Sequence, residues 1–195
     1  NQLSSLDVSA NPELVLLQCN HNKITSLDLT HNPKLETLFV NKLQLSALDL
    51  SKNPLLYELN VTECNLPMLD ISKNTKLGKL NCGFNKLTGL DLSSNPELTK
   101  LICSFNTSLT SLNVSNNPLI NDLEFSYCAI SDIDLSKNAA LTKLICSNNK
   151  LQRLDLSGCP ELSDLSCSKN QLVALNLEHN PNIAIFDIKG QSRTI

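Results

Sequence analysis

The chain has 195 residues, 41% of them hydrophobic, with 16 basic and 19 acidic side chains and a net charge of −3. No basic run or cluster stands out, so the electrostatic footprint of a nucleic-acid binder is missing. No apolar stretch approaches the ~18–20 residues of a membrane helix, which argues against direct membrane insertion.

The first element starts at Leu3 and reads L-x-x-L-x-V-x-x-N-P-x (Leu3, Leu6, Val8, Asn11, Pro12). A second half follows as L-x-x-L-x-C-x-x-N-x (Leu14, Leu17, Cys19, Asn22). The same 21-residue unit begins again at Ile24, Leu45, Leu66, Leu87, Leu109, Ile130, Leu151 and Leu172, with one extra residue near Thr107–Ser108. Nine such units without a linker predict one elongated domain over 1–195, whose core is buried between neighbouring coils.

Each half alternates around its fourth and sixth places, which predicts a short extended segment in both. The first half then turns at Asn-Pro, as at Asn11-Pro12, Asn53-Pro54 and Asn95-Pro96. Proline fixes φ and donates no hydrogen bond there, so helix should be nearly absent. Stacking joins Leu6, Leu27 and Leu48 through Leu175 into one apolar ridge, and Leu17, Leu38 and Leu59 through Phe186 into the opposing one. An Asn ending each half can turn its amide inward to unpaired main-chain groups. Cys64 and Cys128 replace it with a weaker donor, and Leu43 with none, so the bend after Val40 should differ locally.

Eight cysteines would suggest disulfides in a secreted protein. Yet Cys19, Cys82, Cys103, Cys146 and Cys167 share a place with Val40, Val61, Phe125 and Ile188, as small buried hydrophobes do. Free, buried thiols are expected. No C-x-x-C or Cys/His spacing offers a zinc site. The first half also carries an acidic column: Asp7, Asp28, Asp49, Asp70, Asp91, Asp134 and Asp155, with Asn113 and Asn176 in the gaps. It reads either as calcium sites or, preferred here because calcium loops are glycine-rich, as carboxylates capped by nearby hydroxyls and N–H groups. His21, His31 and His179 are scattered, and no catalytic constellation or phosphate loop repeats. The expectation is a protein without catalytic residues, metal or cofactor.

The L-x-x-L-x-C-x-x-N-x-L half (Leu14 to Ile24, Leu77 to Leu87, Leu141 to Leu151) resembles the leucine-rich repeat signature. Together with L-D-L-S in the other half it is similar to the short 21-residue bacterial class called IRREKO-type, common in surface and secreted proteins of Bacteroidetes-like bacteria. The resemblance implies a right-handed solenoid, β-rich, with a parallel sheet from the second halves. First halves would add a weaker extended or second-strand layer. It also implies an extracellular or cell-surface location and a binding scaffold of open ligand identity.

Specificity must sit where the period is broken. The second half varies at its fifth place (Gln18, Phe39, Asn60, Asn81, Ile102, Glu124, Ile145, Ser166, Asp187) and at its eighth (His21, Lys42, Glu63, Phe84, Phe105, Tyr127, Asn148, Lys169, Gly190). Phe39, Tyr57, Phe84, Ile102, Phe105, Tyr127 and Ile145 should face solvent as a clustered apolar surface, a mark of interaction sites. Asn81, Lys100, Glu124 and Lys143 would form its polar rim. Two roles stay open for Phe84 and Phe105: a binding face, or packing over the corner to cover the Asn row. The leading reading is a module binding a protein or glycan. The alternative is a spacer that projects another domain, whose two faces should be equally bland. The chain begins with Asn, and its repeat is expected to decay after Ile188 into Lys189–Ile195. Uncapped ends of that kind predict end-to-end self-association of the fragment.

Overall fold

The computed structural model describes residues 1–191. Each second half supplies one three-residue strand: β1 Leu16–Gln18, β2 Thr37–Phe39, β3 Glu58–Asn60, β4 Lys79–Asn81, β5 Lys100–Ile102, β6 Asp122–Glu124, β7 Lys143–Ile145, β8 Asp164–Ser166 and β9 Ile185–Asp187. They form one parallel sheet in sequence order. Register follows the repeat, with Leu38 opposite Leu59 and Leu80 opposite Leu101. No helix occurs among the described residues. Period two sends the middle leucine inward and its two neighbours outward, so Leu38 through Leu165 are buried at that place. Each buried leucine contributes about 1.5–3 kcal/mol through removal of its surface from water. The extra residue at Thr107–Ser108 is absorbed in a turn closed by Leu109 N–H to the Asn106 carbonyl, 2.9 Å.

Of the two alternatives expected for the first halves, a weaker extended layer or a second strand layer, the strand layer is not formed: no strand lies there among the described residues. Each first half ends in two successive turns around its Asn. Asn53 N–H donates to the Leu50 carbonyl (3.1 Å), and Leu56 N–H to the Asn53 carbonyl (3.2 Å). Backbone donors used within a turn, and proline with none, leave no ladder for a neighbouring coil.

The Asn amides supply the missing cross-links between first halves. Asn95 Nδ2 donates to the Ile71 carbonyl (3.2 Å) and the Asn74 carbonyl (2.8 Å), one coil back. At the second-half place the amide works in both directions. Asn85 Nδ2 reaches the Val61 (2.8 Å) and Cys82 (3.0 Å) carbonyls, while Oδ1 accepts from Leu66 N–H (2.9 Å) and Cys64 N–H (3.2 Å). Cys64 and Cys128 keep part of this role through Sγ, which reaches the Val40 carbonyl at 2.9 Å and the Cys103 carbonyl at 3.5 Å. The bend at Leu43 differs less than expected. Lys42 keeps φ 57°, matching its equivalents, while Ile24 N–H loses the side-chain acceptor that Asn85 gives Leu66, and Gln44 N–H reaches the Ile24 carbonyl at 3.3 Å. Packing of the adjoining coils fixes the corner without the amide.

The repeat also persists beyond Ile188, contrary to the expected decay. Gly190 takes the corner conformation (φ 66°), and Gln191 Nε2 donates to the Cys167 carbonyl at 2.9 Å while its Oε1 accepts from Leu172 N–H at 3.1 Å. Glutamine's longer side chain reproduces the Asn contacts. The rest of that stretch, 192–195, lies outside the described residues.

The acidic column is capped locally. Asp49, Asp70, Asp91 and Asp134 each accept the N–H two residues on, at 2.9 Å. That hydrogen bond is the main cause holding their carboxyls below the ordinary range. A lowered folded pKa gives stabilisation that is present above the unfolded value and lost as pH falls through the folded one. Asn113 Oδ1 accepts the equivalent bond from Ser115 N–H at 3.0 Å. Asp91→Asn should therefore leave unfolding at neutral pH almost unchanged and make the protein slightly more resistant below about pH 4, where free aspartate protonates. Acid titration of the circular dichroism signal checks this; earlier acid unfolding of the variant would contradict it.

All eight cysteines are free and buried. Burial raises their pKa values, to about 11 for Cys64 and about 12 for Cys82. Thiol reagents should leave most of them unlabelled in native protein, and rapid labelling of all eight would contradict this. Cys82→Val should cost less than about 1.5 kcal/mol, because Val40 and Val61 occupy the same buried place.

Candidate interaction face

The solenoid sorts the variable residues into four columns across the sheet. Phe39, Asn81, Ile102, Glu124 and Ile145 occupy the third place of their strands, facing outward. Lys100 and Lys143 occupy the first place. Tyr57 precedes β3 on one border of the sheet. Phe84, Phe105 and Tyr127 stand on the opposite border, at the corner that follows each strand. Phe39, Ile102 and Ile145 are half-buried rather than fully exposed as expected. Side chains of adjacent parallel strands stand about 4.8 Å apart and shield one another.

The corner column has a backbone property that the repeat pattern did not disclose. His21, Lys42, Glu63, Phe84, Phe105, Tyr127, Asn148 and Lys169 all have φ between 53° and 63°. That left-handed conformation is uncommon for aromatic residues. Its recurrence in every coil makes it a demand of the fold, whereas the choice of aromatic side chains is confined to three successive coils. Those rings stack: Phe84 on Phe105 at 4.0 Å between centroids and 11°, Phe105 on Tyr127 at 4.3 Å and 12°. Phe84 stays 48% exposed and Tyr127 42%, so the stack stands out from the corner and presents ring edges to solvent.

The first-place column is a charge ladder. Glu58 faces Lys79 at 3.7 Å, Lys100 contacts Asp122 at 2.6 Å, and Lys143 lies 3.8 Å from Asp122 while also bonding Glu124. The Glu124 bond is the leading cause that raises the Lys143 pKa. Lys100, Glu124 and Lys143 are thus paired, not free rim charges. Their shared partner Asp122, and the separate pair Glu58–Lys79, were missed because the first strand place was not compared across coils, although its mixture of signs is visible in the sequence.

Tyr57 lies flat over Gly78. A Cβ on that glycine would come within 2.3 Å of the ring, so the close approach requires glycine. Lys79 Nζ lies 6.0 Å from the ring centroid. The sheet dips into a concavity of about 110 Å³ over β3–β5, lined by Glu58, Asn60, Lys79, Asn81, Lys100 and Ile102. Among the described residues no group of three or more His, Cys, Asp or Glu side chains converges as a metal site would require. No helix there is long and apolar enough to cross a membrane.

One short parallel strand per 21-residue coil, a buried leucine ridge and an Asn-closed corner decide the architecture. The chain is a leucine-rich repeat solenoid. The family described as Leucine Rich repeat matches residues 105–123 and 147–169. The repeat array is similar to the functional domain of InlJ from Listeria monocytogenes, described as including a cysteine ladder, with 34% identity and a TM-score of 0.80 over 97% of this chain and 47% of that one. It shares its fold with the Leptospira interrogans repeat protein LIC12759 (22% identity, TM-score 0.82, 95% of this chain and 52% of that one). It also shares it with the internalin inlF from Listeria monocytogenes (23%, TM-score 0.73, 96% and 64%). The leucine-rich repeat chain therefore spans less than two thirds of each of these relatives. Comparison with curated proteins finds no match.

Proposed function

We propose that this leucine-rich repeat array is a non-catalytic recognition domain, displayed outside the cell or on its surface, that binds a protein across the sheet face over Leu77 to Ile145. The observation that carries this reading is the aromatic stack with its exposed edges beside the half-exposed Ile102 and Ile145. Exposed aromatics grouped on one side of a fold are characteristic of interface centres. A sugar ring packs on a free aromatic face, and here both faces of Phe105 are taken by its neighbours. Ring edges and strand side chains suit protein side chains better. The monotonous Asp and Ser face opposite is what a spacer would show on every side, and the sheet face departs from it. The strict 21-residue period supports placing the array in the short bacterial repeat class.

The test is retention of surface-protein extracts on immobilised wild-type protein and on Phe84→Asn/Phe105→Asn. Asn148 holds the same corner place with φ 58°, so asparagine preserves the backbone while removing the rings. A partner retained by wild type and by Asp91→Asn, but lost by the double variant, is the expected result. A partner more sensitive to Asp91→Asn would assign binding to the other face.

A further inference from the structure

The concavity over β3–β5 holds two lysines and two amides against a single carboxylate, Glu58. Lys79 and Lys100 stand opposite each other on adjacent strands, and Asn60 and Asn81 do the same one pair behind. The orientation of both amides is fixed by backbone donors: Asn60 Oδ1 accepts from Thr62 N–H (3.1 Å) and Asn81 Oδ1 from Gly83 N–H (3.2 Å). Their Nδ2 groups therefore face outward, and neither donates to an acceptor among the described residues. Lys79 makes only a long contact to Glu58, 3.7 Å, and Lys100 engages Asp122 on its far side at 2.6 Å. Glu58 and Asp122 flank this lysine pair from β3 and β6, so the two ammonium groups still face each other across β4 and β5, where an added anion would relieve their repulsion.

We infer that this concavity is a subsite for a carboxylate side chain of the protein partner, held by Lys79, Lys100, Asn60 and Asn81, with an adjoining apolar side chain seated on Ile102 against the edges of Phe84 and Phe105. The inference rests on the binding-face reading above and adds the partner's chemistry to it. Charge complementarity selects an acidic residue, because Lys79 and Lys100 outnumber Glu58 in the lining and both outward amides donate. Tyr57, laid over Gly78, stands beside Lys79 with the ammonium 6.0 Å from its ring centroid and limits where that lysine can reach.

The probes are two blocked dipeptide amides, N-acetyl-glutamyl-leucinamide and its glutaminyl counterpart, titrated into isotope-labelled protein at millimolar concentration and followed by backbone amide shifts. The glutamyl peptide should shift residues 58–60, 79–84 and 100–105, and bind about tenfold more tightly than the glutaminyl one, the size of one charge-assisted contact. In Lys79→Gln/Lys100→Gln the two peptides should become equivalent, and Gly78→Ala, which displaces Tyr57, should weaken the glutamyl peptide several-fold. No shifts in these segments, equal affinity for both peptides, or discrimination that survives loss of both lysines would each overturn the subsite. Those outcomes leave the wider reading standing if the aromatic double variant still loses a retained partner. Loss of neither partner nor peptide in that variant would instead sink the binding face itself.

Discussion

Asn85→Leu should destabilise the array by about 3–5 kcal/mol, the largest stability effect expected of any surface-adjacent change. The buried N–H groups of Leu66 and Cys64 lose their acceptor, and the Val61 and Cys82 carbonyls lose a donor. An orphaned buried donor costs about 1–3 kcal/mol, and each lost amide bond about 1 more. Leucine adds apolar volume that offsets only part of this. The natural Leu43 indicates that the corner survives the change, since Lys42 keeps φ 57°. Asn85→Cys should cost less than half as much, because Cys64 at the same place still reaches the Val40 carbonyl at 2.9 Å. Asn85 sits in the middle of the array, where each coil is stabilised by both neighbours, so the loss should appear as a lower urea midpoint. A shift worth under about 1 kcal/mol would show that the amide is not essential to the corner.

Phe105→Asn should weaken partner binding by about 2 kcal/mol or more, as loss of a central aromatic anchor commonly does. Its ring is the middle of the stack, at 4.0 Å and 4.3 Å from its neighbours. Stacking adds a stability cost to the loss of affinity. Two stacking contacts are lost, each worth about 0.5–1.5 kcal/mol. The expected result is a lowered unfolding midpoint together with a larger loss of affinity. Tyr127→Asn removes one stacking contact only and should lower stability about half as much, by the same scale. Calorimetric titration with the retained partner, set beside urea unfolding of both variants, separates the two effects. Affinity unchanged in both variants would confine the stack to a structural role at the corner.

Much of the architecture was legible because its determinants are local and repeated. The period, the leucine ridges, the turn at Asn-Pro and the buried cysteines each follow from one residue type recurring at one spacing. Chain direction and register then come almost free, since 21 residues later the same side chain must meet its counterpart. The candidate face was legible only as a list. Phe84, Phe105 and Tyr127 were picked out as outward, but their stacking depends on a left-handed corner that no residue type advertises: the place is filled by His, Lys, Glu, Phe, Tyr, Asn and Gly alike.

By itself, then, the sequence determined a leucine-rich repeat solenoid with a parallel sheet, free buried thiols and one variable side. It did so because a one-sided apolar pattern repeated every 21 residues can bury itself only by stacking. Tertiary structure alone decided three things. First halves form no second strand ladder, and Asn amides join them from coil to coil instead. Lys100, Lys143 and Glu124 become members of a paired ladder, because ion pairs form between coils, across 19 to 22 residues of sequence. And Tyr57 packs on Gly78 of the next coil, because the ring can lie flat only where that coil lacks a Cβ.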